Sequence, residues 1–349
     1  MIASYSIHDL TFKKPAKTSR NTLSAKRVYL LELRNADGKV GYGEISPFPG
    51  LSMDDREDFV QKLDQTITLI NSRAQEEELD LEKWPSIRFG LEMARLDLQN
   101  GGKRIFFKGP FAEGKLSMDI NGLIWMDSAE GMLRQVEEKI AAGFHCIKMK
   151  IGALDFDEEC RMLEVVRKKY TAFQIELRVD ANGAFPKDDA LTLLKDLHRF
   201  ELHSIEQPIA QGNWEDMARL CAHSPLAIAL DEELLGIDPA SGGLQLLRTI
   251  KPAYLIIKPG LLGGFKISTE WIQLAGKENI AWWITSALES NLGLAAIAQY
   301  AATWNNPLPQ GLGTGKLFTT NFSSPLRIHS GKLDQGGHDN WDREISLLK

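Results

Sequence analysis

The chain has 349 residues, of which 43% are hydrophobic and 25% charged, and its formal net charge is −6 at pH 7. This composition is typical of a folded globular protein, and the acidic balance argues against nucleic acid as a partner. The length exceeds one ordinary core and suits a barrel of roughly 250 residues with a second, smaller unit.

Neither a membrane span nor a secretion signal is predicted. No apolar run reaches the length of a span, and residues 1–20 lack the apolar centre of a signal peptide. The three cysteines, Cys146, Cys160 and Cys221, form no CxxC pair and have no metal-ligand spacing. We therefore expect reduced thiols and a cytoplasmic protein.

The first third of the chain, residues 1–115, predicts an α+β unit. A strand is expected over 27–34, and the turn at Asp37-Gly38 leads into a return strand from residue 39. Helical patterns follow from about 53 to 74 and from 85 to 99.

Two segments of this unit are predicted to be loops. Residues 45–52 contain two prolines and form a stiffened loop. Residues 13–26 are polar and basic, and both a solvated connection and a mobile loop agree with that composition.

From about residue 116, short apolar strands alternate with amphipathic helices. The strands are predicted at 117–124, 146–150, 175–179, Ile205, 226–230, 254–257 and 281–284. Buried strands without alternation indicate a parallel sheet covered by helices, and seven or eight such units favour a closed (β/α) barrel. No GxGxxG motif follows the first strand, which disfavours a dinucleotide fold. The irregular tail, 321–349, is expected to return to the N-terminal unit.

Charged residues stand where successive barrel strands end. The set comprises Lys148, Lys150, Asp180, Glu206, Asp231 and Lys258, with intervals of 30, 26, 25 and 27 residues from Lys150 onward. Each interval is close to one βα unit, and the chemistry of parallel barrels sits at the C-terminal ends of the strands. The six side chains should therefore surround one mouth of the barrel.

The three acids of this set predict a metal site. Converging carboxylates cannot all stay ionised without a cation, and oxygen ligands without His or Cys favour Mg²⁺ before Mn²⁺ or Ca²⁺. A lone Asp at a strand end is usually a helix cap, but three acids in successive units are harder to explain in that way. Asn182, Gln207 and Glu232 lie next to the ligands and are candidates to support them, although turn chemistry also accounts for Asn182.

The lysines predict a base. Lys148 and Lys150 lie at i and i+2 and share one side of a strand, which fits either an exposed edge or a pocket that needs positive charge. Beside a metal ion and a second lysine, the pKa of a lysine should fall, so that it can take up a proton near neutral pH.

These motifs resemble the enolase superfamily in its muconate-lactonizing-enzyme-like branch. They are KMK at 148–150, DAN at 180–182, EQP at 206–208, DE at 231–232 and KPG at 258–260. Sites of this superfamily pair a Lys or His base with Mg²⁺. The resemblance implies an α/β fold in which a capping domain, 1–115, covers a modified TIM barrel, 116–320, and residues 321–349 rejoin the cap.

Within that branch, the chain is most similar to the o-succinylbenzoate synthase family. The similarity lies in segments 43–52, 85–92 and 286–293. Dipeptide epimerases, the main rival, carry a DxD pair after the eighth strand, whereas residues 311–316 here contain no acid.

The resemblance implies a lyase of menaquinone biosynthesis, which dehydrates 2-succinyl-6-hydroxy-2,4-cyclohexadiene-1-carboxylate to o-succinylbenzoate. Lys150 would remove the α-proton and return it to the departing hydroxyl on the same face, a syn elimination. Mg²⁺ on Asp180, Glu206 and Asp231 would hold the enediolate, Lys258 would stabilise it as a cation, and Lys148 would add positive charge.

The resemblance also implies where the substrate is held. Ser286, Gly313 and Thr314 are candidates to bind the substrate carboxylates, and the 13–26 and 47–52 loops would close over the site. Alternatives are an N-succinylamino-acid racemase or dipeptide epimerase on the same scaffold, and a non-catalytic barrel. The oligomeric state is left open by the sequence.

Overall fold

The computed structural model describes residues 1–17, 22–336, 341 and 347–348. The N-terminal unit is an antiparallel sheet of β1 (Ile2–Lys17), β2 (Thr22–Arg34) and β3 (Val40–Ile45), in that order. Helices α1 (Phe59–Asn71) and α2 (Pro85–Gln99) complete it. Helix α2 contacts β3 so closely that a Cβ atom on Gly43 would lie 1.9 Å from the carbonyl oxygen of Gly90. The end of β3 reaches the barrel, where Glu44 accepts a hydrogen bond from the backbone N of Ser290 at 2.9 Å.

Two predictions for this unit are wrong. The segment 13–26 is strand wherever the structure describes it, because β1 and β2 continue their antiparallel pairing; residues 18–21 lie outside the described residues. The first helix begins at Phe59 and not near residue 53. The preceding turns are held in place by Asp54, which accepts hydrogen bonds from the backbone N and the hydroxyl of Ser86 at 2.8 and 2.5 Å.

The barrel is a curled parallel sheet of seven strands. In sheet order they are β11 (Ala281–Ile284), β10 (Tyr254–Ile257), β9 (Ile228–Leu230), β8 (Ser204–Glu206), β7 (Glu176–Asp180), β6 (Cys146–Lys150) and β5 (Gly122–Ile124). Its two edges meet through Gln310 and Gly311, which bridge Ile120 on one side and Thr285 on the other. The predicted α/β class, with a barrel and a separate N-terminal unit, is confirmed.

Helices follow the barrel strands and cover the sheet. They are α3 (Ala129–Ala141), α4 (Phe156–Lys169), α5 (Ala190–His198), α6 (Trp214–His223), α7 (Leu244–Ile250), α8 (Pro259–Leu262), α9 (Phe265–Lys277) and α10 (Asn291–Ala302). Single turns of 3₁₀ helix lie at Glu76–Leu79 and Glu232–Leu234, and a π turn lies at Pro239–Gly243. In the described residues, none of the helices combines the length and the apolar character that a membrane crossing needs.

The strand predicted over 117–124 is divided in two. Its first part, β4 (Ser117–Asp119), leaves the barrel and pairs with β14 (Lys332–Gln335), which in turn pairs with β13 (Leu326–His329). Only the second part, β5, joins the barrel sheet. Residues 118, 120, 122 and 124, all apolar or glycine, keep a spacing of two through both parts. The sequence pattern therefore did not indicate where the strand divides.

The C-terminal tail contacts both units. In the tail, the ring centroid of Phe322 lies 5.2 Å from that of His8 on β1. Just before the tail, Thr320 accepts a hydrogen bond from the backbone N of Thr11 at 2.9 Å and donates to the carbonyl oxygen of Asp9 at 3.1 Å. Strand β12 (Asn321–Phe322) pairs with β15 (Leu347–Leu348), while β13 and β14 lie beside the barrel. Residues 337–340, 342–346 and 349 lie outside the described residues. The domain boundaries at 115/116 and 320/321 stay predictions.

Asp97 on α2 gives the N-terminal unit a pH-dependent stability. Its buried carboxylate accepts hydrogen bonds from the backbone N atoms of Tyr42 and Arg104 at 3.0 and 2.5 Å. Burial raises the pKa of Asp97 to about 6, whereas an unfolded Asp titrates near about 3.9. Between these values the folded state binds the extra proton, so the free energy of unfolding should fall as the pH rises from 4 to 6, by about 3 kcal/mol at most.

Urea unfolding at several pH values tests this prediction. We expect Asp97→Asn, which cannot titrate, to remove this part of the pH dependence, whatever its effect on absolute stability. Parallel curves for wild type and variant between pH 4 and 6 would contradict the prediction.

Candidate active site

The strand register brings the predicted residues to one mouth of the barrel. Lys150 lies opposite Asp180, and Asp180 lies opposite Glu206, on neighbouring parallel strands. Asp231 and Lys258 follow directly after β9 and β10. Because side chains alternate along a strand, these residues all point into the barrel. Lys148, two residues before Lys150 on β6, points the same way.

The lysines and carboxylates form one buried charge cluster. Lys148 Nζ lies 2.8 Å from Asp180 Oδ2 and 2.5 Å from Glu206 Oε2. Lys150 Nζ lies 2.6 Å from the same Asp180 oxygen. Lys258 Nζ contacts Asp231 Oδ2 and lies 3.6 Å from Glu206 Oε1. The sequence prediction that these six residues meet is therefore matched by their positions, while their roles stay predictions.

The electrostatics follow from these contacts. Burial disfavours the charged form of Asp180, but the ammonium groups of Lys148 and Lys150 outweigh it and hold the pKa of that carboxyl well below its usual range. Burial likewise disfavours the charged forms of Lys148 and Lys258, yet the facing carboxylates raise the pKa of both. Direct contact with carboxylates thus decides the direction of the pKa shift for these two lysines, and the lowering expected beside a metal ion stays a prediction.

The donor set fits a hard divalent cation. Asp180, Glu206 and Asp231 offer carboxylate oxygens from successive strands, and the buried Glu206 Oε1 has no hydrogen-bond partner among the described residues. Such an oxygen is costly to bury unless something else satisfies it. In the described part of the chain, no three His, Cys, Asp or Glu side chains form a ready-made ion cage, since lysines contact the acids. A cation would share these oxygens with the lysines or displace them.

Asn182 and Gln207 organise the surrounding loops. Asn182 accepts a hydrogen bond from Lys150 Nζ at 2.6 Å and donates one to Glu232 Oε1 at 3.0 Å. It therefore connects Lys150, the predicted base, to an acid in the segment after β9. Gln207 accepts from the backbone N of Asp231 at 3.2 Å and donates to Glu233 at 3.0 Å. Both Asn182 and Gln207 have positive φ values, of 46° and 40°. Residues other than glycine keep such backbones only where their surroundings hold them.

A cavity of about 830 Å³, partly open to solvent, lies directly above the charge cluster. Ser286, Gly313 and Thr314, predicted to bind substrate, all line it, and the hydroxyls of Ser286 and Thr314 are 2.6 Å apart. Lys148, Lys150, Lys258 and Asn182 line it as well. Sequence analysis missed further lining residues from the barrel: Asn121, Leu123, Trp125, Leu261 and Thr285. The spacing of two residues between 121, 123 and 125, on and beside the first barrel strand, was a usable signal for three of them.

The cap also contributes to the cavity wall. Phe48, Pro49 and Leu51, from the predicted 47–52 loop, line the cavity. Behind Phe48 lies Lys26 of β2, which is fully buried and which sequence analysis had assigned to a loop. Lys26 lies on the same face of β2 as the buried Val28 and Leu30, so the alternation along this strand could have identified it.

Two family models match the chain. The model described as "Enolase C-terminal domain-like" matches residues 131–336, and the model described as "MenC, N-terminal domain" matches residues 8–98. The first match alone spans more than half of the chain.

Curated relatives and solved structures agree with these models. The o-succinylbenzoate synthase of Desulfotalea psychrophila is 46% identical over 95% of this chain and 98% of that protein. The crystal structure of MenC from the same organism has a TM-score of 0.87 at 43% identity, covering 96% of this chain and 99% of that chain. The L-Ala-D/L-Glu epimerase of Bacillus subtilis, with a TM-score of 0.82 at 19% identity over 97% and 96% of the two chains, shares the fold.

The regions matched by the two family models include the cap loop and the charge cluster, and all of the cavity lining except Asn121, Leu123 and Trp125. The predicted superfamily and enzyme class are confirmed by the 46% identity and by the two models. The chain therefore belongs to the enolase superfamily and, within it, to the o-succinylbenzoate synthase family of carbon–oxygen lyases.

Proposed function

We propose that the protein carries out the Mg²⁺-dependent syn-dehydration of 2-succinyl-6-hydroxy-2,4-cyclohexadiene-1-carboxylate to o-succinylbenzoate, as a cytoplasmic step of menaquinone biosynthesis. The observation that carries the proposal is the pair Lys150 and Lys258. They line one cavity from β6 and from the end of β10, on either side of the three carboxylates. A small carboxylate substrate in this cavity would lie between a base and a cation.

The cation of the proposal would be held by Asp180, Glu206 and Asp231. Bound Mg²⁺ would neutralise the substrate carboxylate and stabilise the negative charge that develops when the α-proton leaves. Two observations support this assignment: the donor set is all oxygen, and Glu206 Oε1 accepts no hydrogen bond among the described residues and lies 3.6 Å from Lys258 Nζ.

Lys150 is the proposed base and acid. Its neutral amine would take the α-proton, and the electrons of the C–H bond would pass onto the substrate carboxylate to give the enediolate. Return of these electrons would form the new ring C=C bond as the C–OH bond breaks. The resulting ammonium returns the proton to the departing hydroxyl, so that water leaves from the face on which Lys150 lies. Asn182 and Asp180 hold Lys150 Nζ at 2.6 Å each and thereby fix its direction.

Lys258 and Lys148 are proposed to stay cationic. Burial opposes the charged forms, but the carboxylates that contact these two lysines raise the pKa of both and so favour the ammonium form. A fixed positive charge beside the reacting carbon would stabilise the enediolate. Ser286, Thr314 and Gly313 would hold the far end of the substrate, and Phe48 with its neighbours would exclude water.

An N-succinylamino-acid racemase or dipeptide epimerase is the alternative. Lys150 and Lys258 lie on different walls of the cavity. They could equally remove a proton from one face of the substrate α-carbon and return a proton to the other face. No acid occurs in residues 311–316, where an epimerase would bind an amino group. Turnover of the cyclohexadiene substrate, measured beside exchange of α-deuterium in succinylated amino acids and dipeptides, discriminates between the two reactions.

Metal removal tests the proposed cofactor. EDTA should abolish turnover, and excess Mg²⁺ should restore it. Glu206→Gln should raise the Kd for Mg²⁺ at least tenfold in a calorimetric titration, because one anionic ligand is lost. Glu215→Gln, an exposed acid at the start of α6, is the matched control and should bind Mg²⁺ as wild type does. Full activity after exhaustive chelation would overturn the metal proposal.

A further inference from the structure

Lys26 is a buried cation that the proposed chemistry does not use. It lies on β2 of the cap, and its side chain has no exposure to solvent. Its Nζ donates hydrogen bonds across the domain interface to the carbonyl oxygens of Ala287 and Leu288, at 2.7 and 3.1 Å. Burying a charged group costs free energy unless polar partners compensate it, and these two hydrogen bonds compensate part of that cost for Lys26.

The two carbonyl groups belong to a segment of the cavity wall. Residues 285–288, which directly follow β11, line the cavity in succession, and Ala287 and Leu288 are the last two of them. Leu288 has a φ of 61°, a backbone conformation that a bulky L-residue seldom adopts without external support. The hydrogen bond from Lys26 to the Leu288 carbonyl oxygen is such a support.

Lys26 also contacts the opposite wall. Its Nζ lies 5.4 Å from the centroid of the Phe48 ring, and Phe48 lines the cavity from the cap loop. An ammonium group at this distance is attracted to the face of an aromatic ring. One side chain thereby connects the cap wall and the barrel wall of the same cavity.

Two buried acids complete this connection. Glu289 accepts a hydrogen bond from the backbone N of Ala287 at 2.7 Å, and Glu44 accepts from the backbone N of Ser290 at 2.9 Å. Burial lowers the pKa of Lys26, and the charges of Glu289 and Glu44 oppose this effect. The peptide groups of residues 287–290 are thus held by three buried side chains, two of which come from the cap.

We propose that Lys26 is a positioning residue. It sets the affinity for substrate by fixing the position of the 286–288 segment relative to Phe48 across the domain interface. The inference rests on the proposed function in one respect, that Ser286 and Phe48 contact the substrate. Lys26 itself does not line the cavity, so it acts through these neighbours. Its loss should weaken binding of substrate and transition state alike, which raises KM and leaves kcat nearly unchanged.

Steady-state kinetics of Lys26→Met test the proposal. We expect KM to rise at least tenfold while kcat stays within threefold of wild type. Lys26→Arg, which keeps a cationic donor, should bring KM closer to wild type. If Lys26→Met does not fold, Lys26→Gln takes its place, because it keeps a donor that is too short to reach both carbonyl groups.

Glu92→Ala is the matched control. Glu92 lies on α2 of the cap and accepts hydrogen bonds from the backbone N atoms of Phe265 and Lys266, so it also joins cap to barrel, but it does not line the cavity. KM of Glu92→Ala should stay within threefold of wild type. A wild-type KM in Lys26→Met, or an equal rise in Glu92→Ala, would overturn the proposal.

The wild-type enzyme in the same assay distinguishes a failure of the proposed function from a failure of the role proposed for Lys26. No turnover of the cyclohexadiene substrate by wild type would count against the proposed function alone. In that case the KM comparison is made with the succinylated amino acid or dipeptide that wild type does convert. The ratio between variant and wild type still decides whether Lys26 positions the cavity wall.

Discussion

Lys150→Ala should lower kcat by about 10³-fold or more, because the variant loses the group that both removes and returns the proton. The fold should be retained, since Asp180 keeps its contact with Lys148 at 2.8 Å. The measurement is turnover of the cyclohexadiene substrate at saturating Mg²⁺, together with circular dichroism and a melting curve.

Lys168→Ala is the control for this experiment. Lys168 is an exposed lysine on α4 that pairs with Glu164 of the same helix, and its loss should leave kcat unchanged. A Lys150→Ala enzyme that retains more than a tenth of the wild-type kcat would remove the assignment of Lys150 as the base.

Lys258→Ala should lower kcat by about 10²–10³-fold, the usual cost of removing a fixed stabiliser of developing negative charge. In a syn elimination Lys150 both removes and returns the proton, so no second base is needed. A large loss of kcat would therefore indicate that Lys258 acts as a cation. The kinetic measurement should be made at saturating Mg²⁺ and over a range of pH.

Stability provides the second measurement for Lys258→Ala. Asp231 is buried and contacts Lys258, so metal-free variant should also lose about 3–5 kcal/mol of unfolding free energy, the typical cost of leaving one partner of a buried ion pair alone. Added Mg²⁺ should recover part of this loss if Asp231 is a ligand. A variant with near wild-type kcat would contradict the cationic role.

Much of the barrel could be predicted because its signals are local. Strands β10 and β11 have the predicted bounds, since each is a short apolar run between clear breaks, and the same holds for the amphipathic helix α2 of the cap. The spacing of Lys150, Asp180 and Glu206 predicted their meeting, because in a parallel sheet each βα unit advances the chain by one strand.

The remaining features depend on contacts between distant residues. The eighth position of the barrel is filled only by the bridges at Gln310 and Gly311, which are too short to give a periodic pattern. The late start of α1 depends on the contact of Asp54 with Ser86 across 32 residues. The raised pKa values of Lys148 and Lys258 depend on distances that residue types alone do not provide.

The contact between Glu44 and the start of α10 bears on how the two units fold. Glu44 of the cap accepts hydrogen bonds from the backbone N atoms of Ser290 and Gly293, at 2.9 Å each, and from the hydroxyl of Ser290. The first amides of a helix have no partner within the helix, and an anion near them is stabilising. The start of this barrel helix, whose N-cap is Ser290, is thus held by a residue 246 positions earlier in the chain. During synthesis Glu44 leaves the ribosome long before residues 290–293, so this carboxylate of the cap meets its helix only after most of the barrel has been made.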